Sequence, residues 1–473
     1  MVASLSVLAL PLLAVAVKAY NPAQHELDPL QWAGGNSPYF KGPYVNGIPY
    51  VVPDGCTVDT AAFVSRHGAR WPDPSAYQQW VNLSAKIDAA TFTVSEKGPE
   101  LNFLSSWKPI MKYPDQDMSM INVGGYKELY EMGGVYRQRY PDFYVPNTPF
   151  MVWSNQYAAA PRVIDSARLF TRGYMGPNSS IGSVYVLNST APAALANSLA
   201  PSDGCPTYSD DSGGSNATTW ANVYLPPITK RINSLLKGNL TFTDSDTVQF
   251  PYLCAFESPV LGYLSPWCYV FTDDELRAYE YAQDIRYYYG SGPGAGKNST
   301  LMLPVLNAVI QRFQDGPNKT YTSSDGTPFQ PPPLAAMFTN DGQINQLVSE
   351  IGVFDDQAPL PSTYIPSSQR YIASRYVTMR GTIGFERLTC SSEHYMRITL
   401  NDVVYPVTSC FTGPGYSCPL DQYADLIANK TSAAGTFEQV CNLNSTGATQ
   451  AENDMKATFL FDRALSFGYF VAP

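Results

Sequence analysis

Apolar positions along the chain fall into two patterns. The segment Cys56–Ser65 (CTVDTAAFVS) is short, β-branched and apolar, which predicts a buried strand leading into a turn at Arg66. Phe150–Ser154 and Leu334–Phe338 predict two more short strands. From Arg162 to Tyr174 the period changes, and Ile164, Ala167, Leu169 and Phe170 share one face of a predicted helix. Ile344, Leu347, Val348 and Ile351 follow the i, i+3, i+4, i+7 spacing, so a helix starts directly after the third strand. Asn340 and Asp341 then sit at its N-terminus, where both residue types are favoured. Residues 272–316 read as mainly helical with a break at Gly290–Gly294. Residues 375–390 and 394–406 alternate as strands, with Asn401-Asp402 as a hairpin tip. Residues 20–50 read as an extended arm, and residues 176–250, rich in Ser, Gly, Asn and Pro, as surface loops with short helices.

Three predicted strands thus end at three loops that carry chemistry: 66–70, 154–162 and 340–341. In open α/β sheets, ligand sites form beyond the carboxyl ends of strands, so the pattern predicts one shared pocket.

Composition narrows the class. With 44% hydrophobic and 15% charged residues, the chain can bury a core. Its net charge of −10 excludes nucleic-acid binding by a general electrostatic field, so an anionic ligand needs a local cluster of arginines. Residues 1–19 (MVASLSVLALPLLAVAVKA) read as a signal peptide: the apolar stretch is too short to span a bilayer, and Val17 and Ala19 place cleavage after Ala19. No later segment is a membrane-span candidate. The eight cysteines, Cys56, Cys205, Cys254, Cys268, Cys390, Cys410, Cys418 and Cys441, are an even set in an exported chain and predict disulfides of open connectivity. Glycosylation sequons occur at Asn82, Asn178, Asn188, Asn216, Asn239, Asn298, Asn318, Asn429 and Asn444, which predicts a glycosylated surface and a secreted, extracellular or cell-wall location.

The chain has only three histidines, His25, His67 and His394. His67 lies between Arg66 and Arg70, with Gly68 beside it. Two guanidiniums at a strand end offer forked donors for a phosphate, and a glycine lets the backbone approach a ligand. A neutral imidazole can attack phosphorus. His394, in a strand, reads as a structural or surface residue, and His25, in the arm, as a surface residue. A lone Arg-His-Gly is by itself a weak signal, since a basic turn on the surface has the same residues.

The longer run Arg66-His67-Gly68-Ala69-Arg70-Trp71-Pro72 resembles the signature of the histidine acid phosphatases, and the likeness extends over nearly the whole chain after residue 19. It includes Arg162-Val-Ile-Asp-Ser-Ala167, Ser265-Pro-Trp-Cys268, Asp284-Ile-Arg-Tyr-Tyr-Tyr289 and Thr412-Gly-Pro-Gly-Tyr-Ser-Cys418, the last similar to secreted yeast-type acid phosphatases and fungal phytases. The resemblance implies an α/β fold with a mixed-sheet, phosphoglycerate mutase-like core and a mainly helical inserted lobe, forming one domain over residues 20–473. It implies His67 as nucleophile, Arg66, Arg70 and Arg162 as phosphate ligands, and Asp341 as general acid. It also implies disulfides Cys56–Cys390, Cys205–Cys441, Cys254–Cys268 and Cys410–Cys418. The substrate implied is a small phosphate monoester, and no metal or other cofactor is needed because arginines neutralise the phosphate.

One position departs from the family pattern. Asn340-Asp341 stands where the family has His-Asp. Asparagine can still donate a hydrogen bond to phosphate but carries no charge. Losing the charge-assisted part costs about 1.5–3 kcal/mol, or about a 10- to 100-fold slower reaction if it falls on the transition state. The expectation is a weakened acid phosphatase. The alternatives are a phytase, a non-catalytic anion-binding protein, or an enzyme retuned to a non-phosphate substrate. Retention of three arginines argues against the last, since a neutral ligand would leave them buried and unpaired.

Overall fold

The strand predicted before the signature is β1, Cys56–Arg66, in a computed structural model that describes residues 27–443 and 455–473. Its side chains alternate between two faces, as the period of two requires. Ala61 and Phe63 enter one core cluster, while Ala62 and Val64 enter the other. After β1 come α1 (Pro74–Asp88), α2 (Val123–Arg139), β2 (Phe150–Asn155), α3 (Arg162–Met175) and β3 (Gly182–Leu187). A helical stretch follows: α4 (Gly214–Ser234), α5 (Gln249–Leu261), α6 (Asp273–Gly290) and α7 (Leu303–Asp315). The chain returns to the sheet as β4 (Leu334–Thr339), α8 (Asp341–Glu350), β5 (Thr382–Cys390), β6 (Glu393–Leu400) and β7 (Val403–Tyr405). It ends with β8 (Cys418–Pro419), α9 (Leu420–Ala434) and β9 (Gly468–Val471).

The nine strands form one mixed sheet in the order β7-β6-β5-β1-β4-β2-β3-β9, with β8 paired to β6. β1, β4, β2 and β3 are parallel, and the strands next to them on either side, β5 and β9, run antiparallel to them. This is the mixed α/β sheet expected. Register places Arg66 opposite Thr339, so the residues after β1 and after β4 emerge side by side.

Two expectations are corrected. Residues 176–250 are not only loops with short helices. Gly182–Leu187 is the core strand β3, and α4 is 21 residues long with Pro226 and Pro227 inside it. Polar and proline-rich neighbours mask both elements, and α4 holds through burial of Trp220, Tyr224, Leu225, Ile228 and Ile232. The strand expected from 375 begins only at Thr382, because Ala373–Arg375 forms a 3₁₀ turn and Arg380 takes a positive φ of 58°. The hairpin tip is where the pattern put it, with Asn401 and Asp402 at φ 43° and 64°.

Disulfides join Cys56 to Cys390, Cys205 to Cys441, Cys254 to Cys268 and Cys410 to Cys418, the pairs implied by the family resemblance. The residues of the expected signal peptide, His25 and Asn444 lie outside the described residues. Among the described residues no helix is long and apolar enough to cross a membrane.

The helix carrying Arg162 is fixed by a glycine crossing. A Cβ on Gly173 of α3 would lie 2.0 Å from the Tyr130 carbonyl oxygen of α2, while one on Gly134 would meet nothing within 4 Å. Gly173→Ala is expected to lower the unfolding free energy by about 1–3 kcal/mol or more, and Gly134→Ala to leave it unchanged or raise it by up to about 1 kcal/mol, as read by urea unfolding.

Candidate functional site

The three loops meet as the strand order requires. His67 follows β1 directly, and its backbone is held on both sides: its N–H donates to Thr339 O (3.1 Å), and its carbonyl accepts from Arg380 N (2.8 Å). Its side chain is 0% exposed. Nδ1 lies 2.9 Å from Gly68 O, so Nδ1 carries the proton and donates to that carbonyl. Nε2 is then left with its lone pair, and it is buried without a protein partner. Burial pushes the imidazole well below its ordinary pKa, and the charges of Arg162, Arg66 and Arg70 push the same way.

Arg66, Arg70 and Arg162 are all buried and come together as expected. Arg66 Nη1 donates to the carbonyls of Gly35 and, at 2.8 Å, Val377, while Nη2 lies 3.3 Å from Asp341 Oδ2. Arg162 is the first residue of α3, and Ser166 one turn later ties that turn to the signature loop by accepting from Gly68 N (3.2 Å). Glu128 accepts from Ala69 N, and Asn122 donates to Arg70 O (3.1 Å). Gly68 also has a packing reason for being glycine. A Cβ there would lie 2.5 Å from Leu129 Cδ1.

Asn340 and Asp341 open α8. Asn340 has extended backbone at the cap position, but its side chain makes no capping bond. Its Oδ1 is buried without a partner, and the residue lines the pocket. Rotation of the carboxamide exchanges oxygen and nitrogen, so the same placement can present a donor to an anion. Asp341 accepts from the Tyr287 hydroxyl (2.9 Å) and faces Arg66. Burial alone would raise its carboxyl pKa, but the charges of Arg66 and Arg286, with the Tyr287 hydroxyl, hold it well below the usual range.

A pocket of about 210 Å³ opens here, lined by Tyr157, Arg162, Asp203, Tyr208, Asp210, Arg286, Tyr287, Asn340, Asp341, Gly342 and Gln343. His394 is remote from it: Nδ1 lies 3.1 Å from Thr389 Oγ1, beside the Cys56–Cys390 end of β1.

The sequence profile of the Histidine phosphatase superfamily (branch 2) matches residues 57–401. The chain belongs to this family. It is 30% identical over 451 residues to the repressible acid phosphatase of Saccharomyces cerevisiae, covering 92% of this chain and 90% of that one. It is 30% identical over 440 residues to a thiamine-repressible acid phosphatase of Schizosaccharomyces pombe, covering 88% and 92%. The crystal structure of the phytase from D. castellii shares the fold, with a TM-score of 0.80 at 24% identity over 93% of this chain and 92% of that one.

Sequence reasoning missed Asp73, which lies 2.8 Å from Arg70 Nη2 and 3.0 Å from Arg162 Nη1. It also missed Tyr287 and Arg286. Their signal was present, since they sit inside the Asp284–Tyr289 motif already noted. The arm was taken as extended, yet Gly35 packs into the site: a Cβ on it would lie 2.0 Å from the Tyr287 hydroxyl. With so few histidines, the imidazole state is directly measurable. ¹⁵N NMR of histidine-labelled protein is expected to show one ring, absent in His67→Ala, that stays neutral with its proton on Nδ1 at acidic pH where an ordinary imidazole is charged.

Proposed function

We propose that this protein is an acid phosphatase that hydrolyses small phosphate monoesters through a phosphohistidine on His67. The observation that carries the reading is the neutral imidazole whose Nε2 is free and surrounded by three guanidiniums. Nε2 forms the new bond to phosphorus, and the ester oxygen leaves with the electrons of the broken P–O bond. Arg66, Arg70 and Arg162 take the charge on the phosphoryl oxygens. Asp341 hands a proton to the leaving oxygen. In the free protein Asp341 is ionised, but a phosphate on Arg66 offsets the pull that keeps it so, and the monoester brings its own proton below about pH 6. Water then attacks the phosphohistidine, returning phosphate and the free imidazole.

The substrate class follows from the pocket wall. Beyond Arg162 it offers Arg286 as a cation, no lysine, and the carboxylates of Asp203 and Asp210. That wall suits a leaving group with little negative charge better than a polyphosphorylated one. Secretion and glycosylation belong to the same reading. They are supported by the residue 1–19 pattern, by four disulfides, and by the sequon asparagines at 82, 239, 318 and 429, which are exposed, and at 178, 188, 216 and 298, which are half-buried.

Release of phosphate from p-nitrophenyl phosphate between pH 3 and 7 tests the reading. The wild type is expected to turn over, with kcat/KM falling above about pH 6, and His67→Ala to be inactive. Asn340→His is expected to gain about 10- to 100-fold, and phytate to be a poorer substrate than the nitrophenyl ester. Silence of both wild type and Asn340→His in folded protein would overturn the phosphatase reading. Silence of wild type alone would favour the non-catalytic anion-binding alternative.

A further inference from the structure

Asp73 adds a negative charge at the point where the site is built to receive one. It stands just before α1, three residues after Arg70. Its Oδ2 lies 2.8 Å from Arg70 Nη2, and its Oδ1 accepts from Arg162 Nη1 at 3.0 Å. Ser119 Oγ donates to the same Oδ1 at 2.7 Å. Burial would raise its pKa, yet Arg70, the Ser119 hydroxyl and Arg162 hold the carboxyl below its ordinary value, so it is ionised through most of the acid range. The arrangement is not a helix cap, because the Asp73 side chain makes no capping bond to α1.

Two arginines that would grip a phosphoryl group therefore already grip a carboxylate. Arg66 faces the other carboxylate, Asp341. His67 beside them is fully buried. The Arg70–Asp73–Arg162 bridge is made by the very donors a phosphate needs. A carboxylate and a phosphate present the same paired acceptors to guanidinium forks.

We infer that Asp73 is a built-in competitor of the phosphoryl group: it occupies Arg70 and Arg162 in the free protein and is displaced when phosphate binds. Its return as phosphate leaves weakens product binding and favours turnover where phosphate accumulates. Only the identity of the ligand rests on the phosphatase reading; the competition itself is a property of the anion site.

The test is calorimetric titration of wild type, Asp73→Asn, Asp73→Ser and Ser119→Ala with inorganic phosphate at pH 5, alongside inhibition of nitrophenyl phosphate hydrolysis. Asp73→Asn keeps the shape without the charge. Ser119→Ala leaves the arginines untouched and loosens only the carboxylate's anchor. The Asp73 side chain is 39% exposed, so its replacement need not disturb the core. Both Asp73 variants are expected to bind phosphate at least about tenfold more tightly, with KM falling in parallel, and Ser119→Ala about two- to fivefold more tightly, the effect of one lost hydrogen bond. Unchanged or weaker phosphate binding in the variants that fold, as judged by thermal unfolding, would overturn the competitor role and make Asp73 a positioning residue for the arginines. Because the calorimetry needs no turnover, tighter phosphate binding in a protein without activity would sink the phosphatase reading and leave this one standing.

Discussion

Three guanidiniums are held largely out of water around one uncharged imidazole, and the rest of the structure answers to that constraint. Buried charges are costly unless each is paired or hydrogen-bonded. Arg66 is met by the carbonyls of Gly35 and Val377 and by Asp341; Arg70 and Arg162 are met by Asp73. Burial and, with it, the like charges keep His67 neutral, which is the state a nucleophile needs. Electrostatics and chemistry therefore depend on the same contacts, and the parallel strands β1 and β4 bring them into register.

The sheet was legible wherever burial is two-sided. Cys56–Arg66, Phe150–Asn155 and Leu334–Thr339 are continuous apolar runs because helices or loops cover both faces, and such runs stand out in sequence. β3 did not stand out, since its apolar residues are only Val184–Leu187 and lie between segments rich in Ser, Asn and Pro. α4 was hidden by its paired prolines, which local propensity weighs heavily and tertiary packing overrides.

The site was legible as a set of residue types and illegible as a charge balance. Arg66, His67, Arg70, Arg162, Asn340 and Asp341 are brought together by loops at the carboxyl ends of three strands. Asp73 was passed over because the pairing of one carboxylate with two arginines from distant segments exists only after folding. Asn340 shows the converse. Its sequence context suggests a helix cap, but its side chain makes no capping bond and its Oδ1 is buried without a protein partner. The local rule is left unfulfilled where the residue lines the pocket.

The central claim is that His67 carries the phosphoryl group. Mixing the wild-type protein with a phosphate monoester, quenching within milliseconds in alkali to preserve phosphohistidine, and mapping the modified peptide by mass spectrometry tests it most directly. The account predicts a phosphoryl group on His67 that appears and disappears with turnover. Phosphate release with the phosphoryl group found on a carboxylate, or with His67 unmodified throughout, would contradict it.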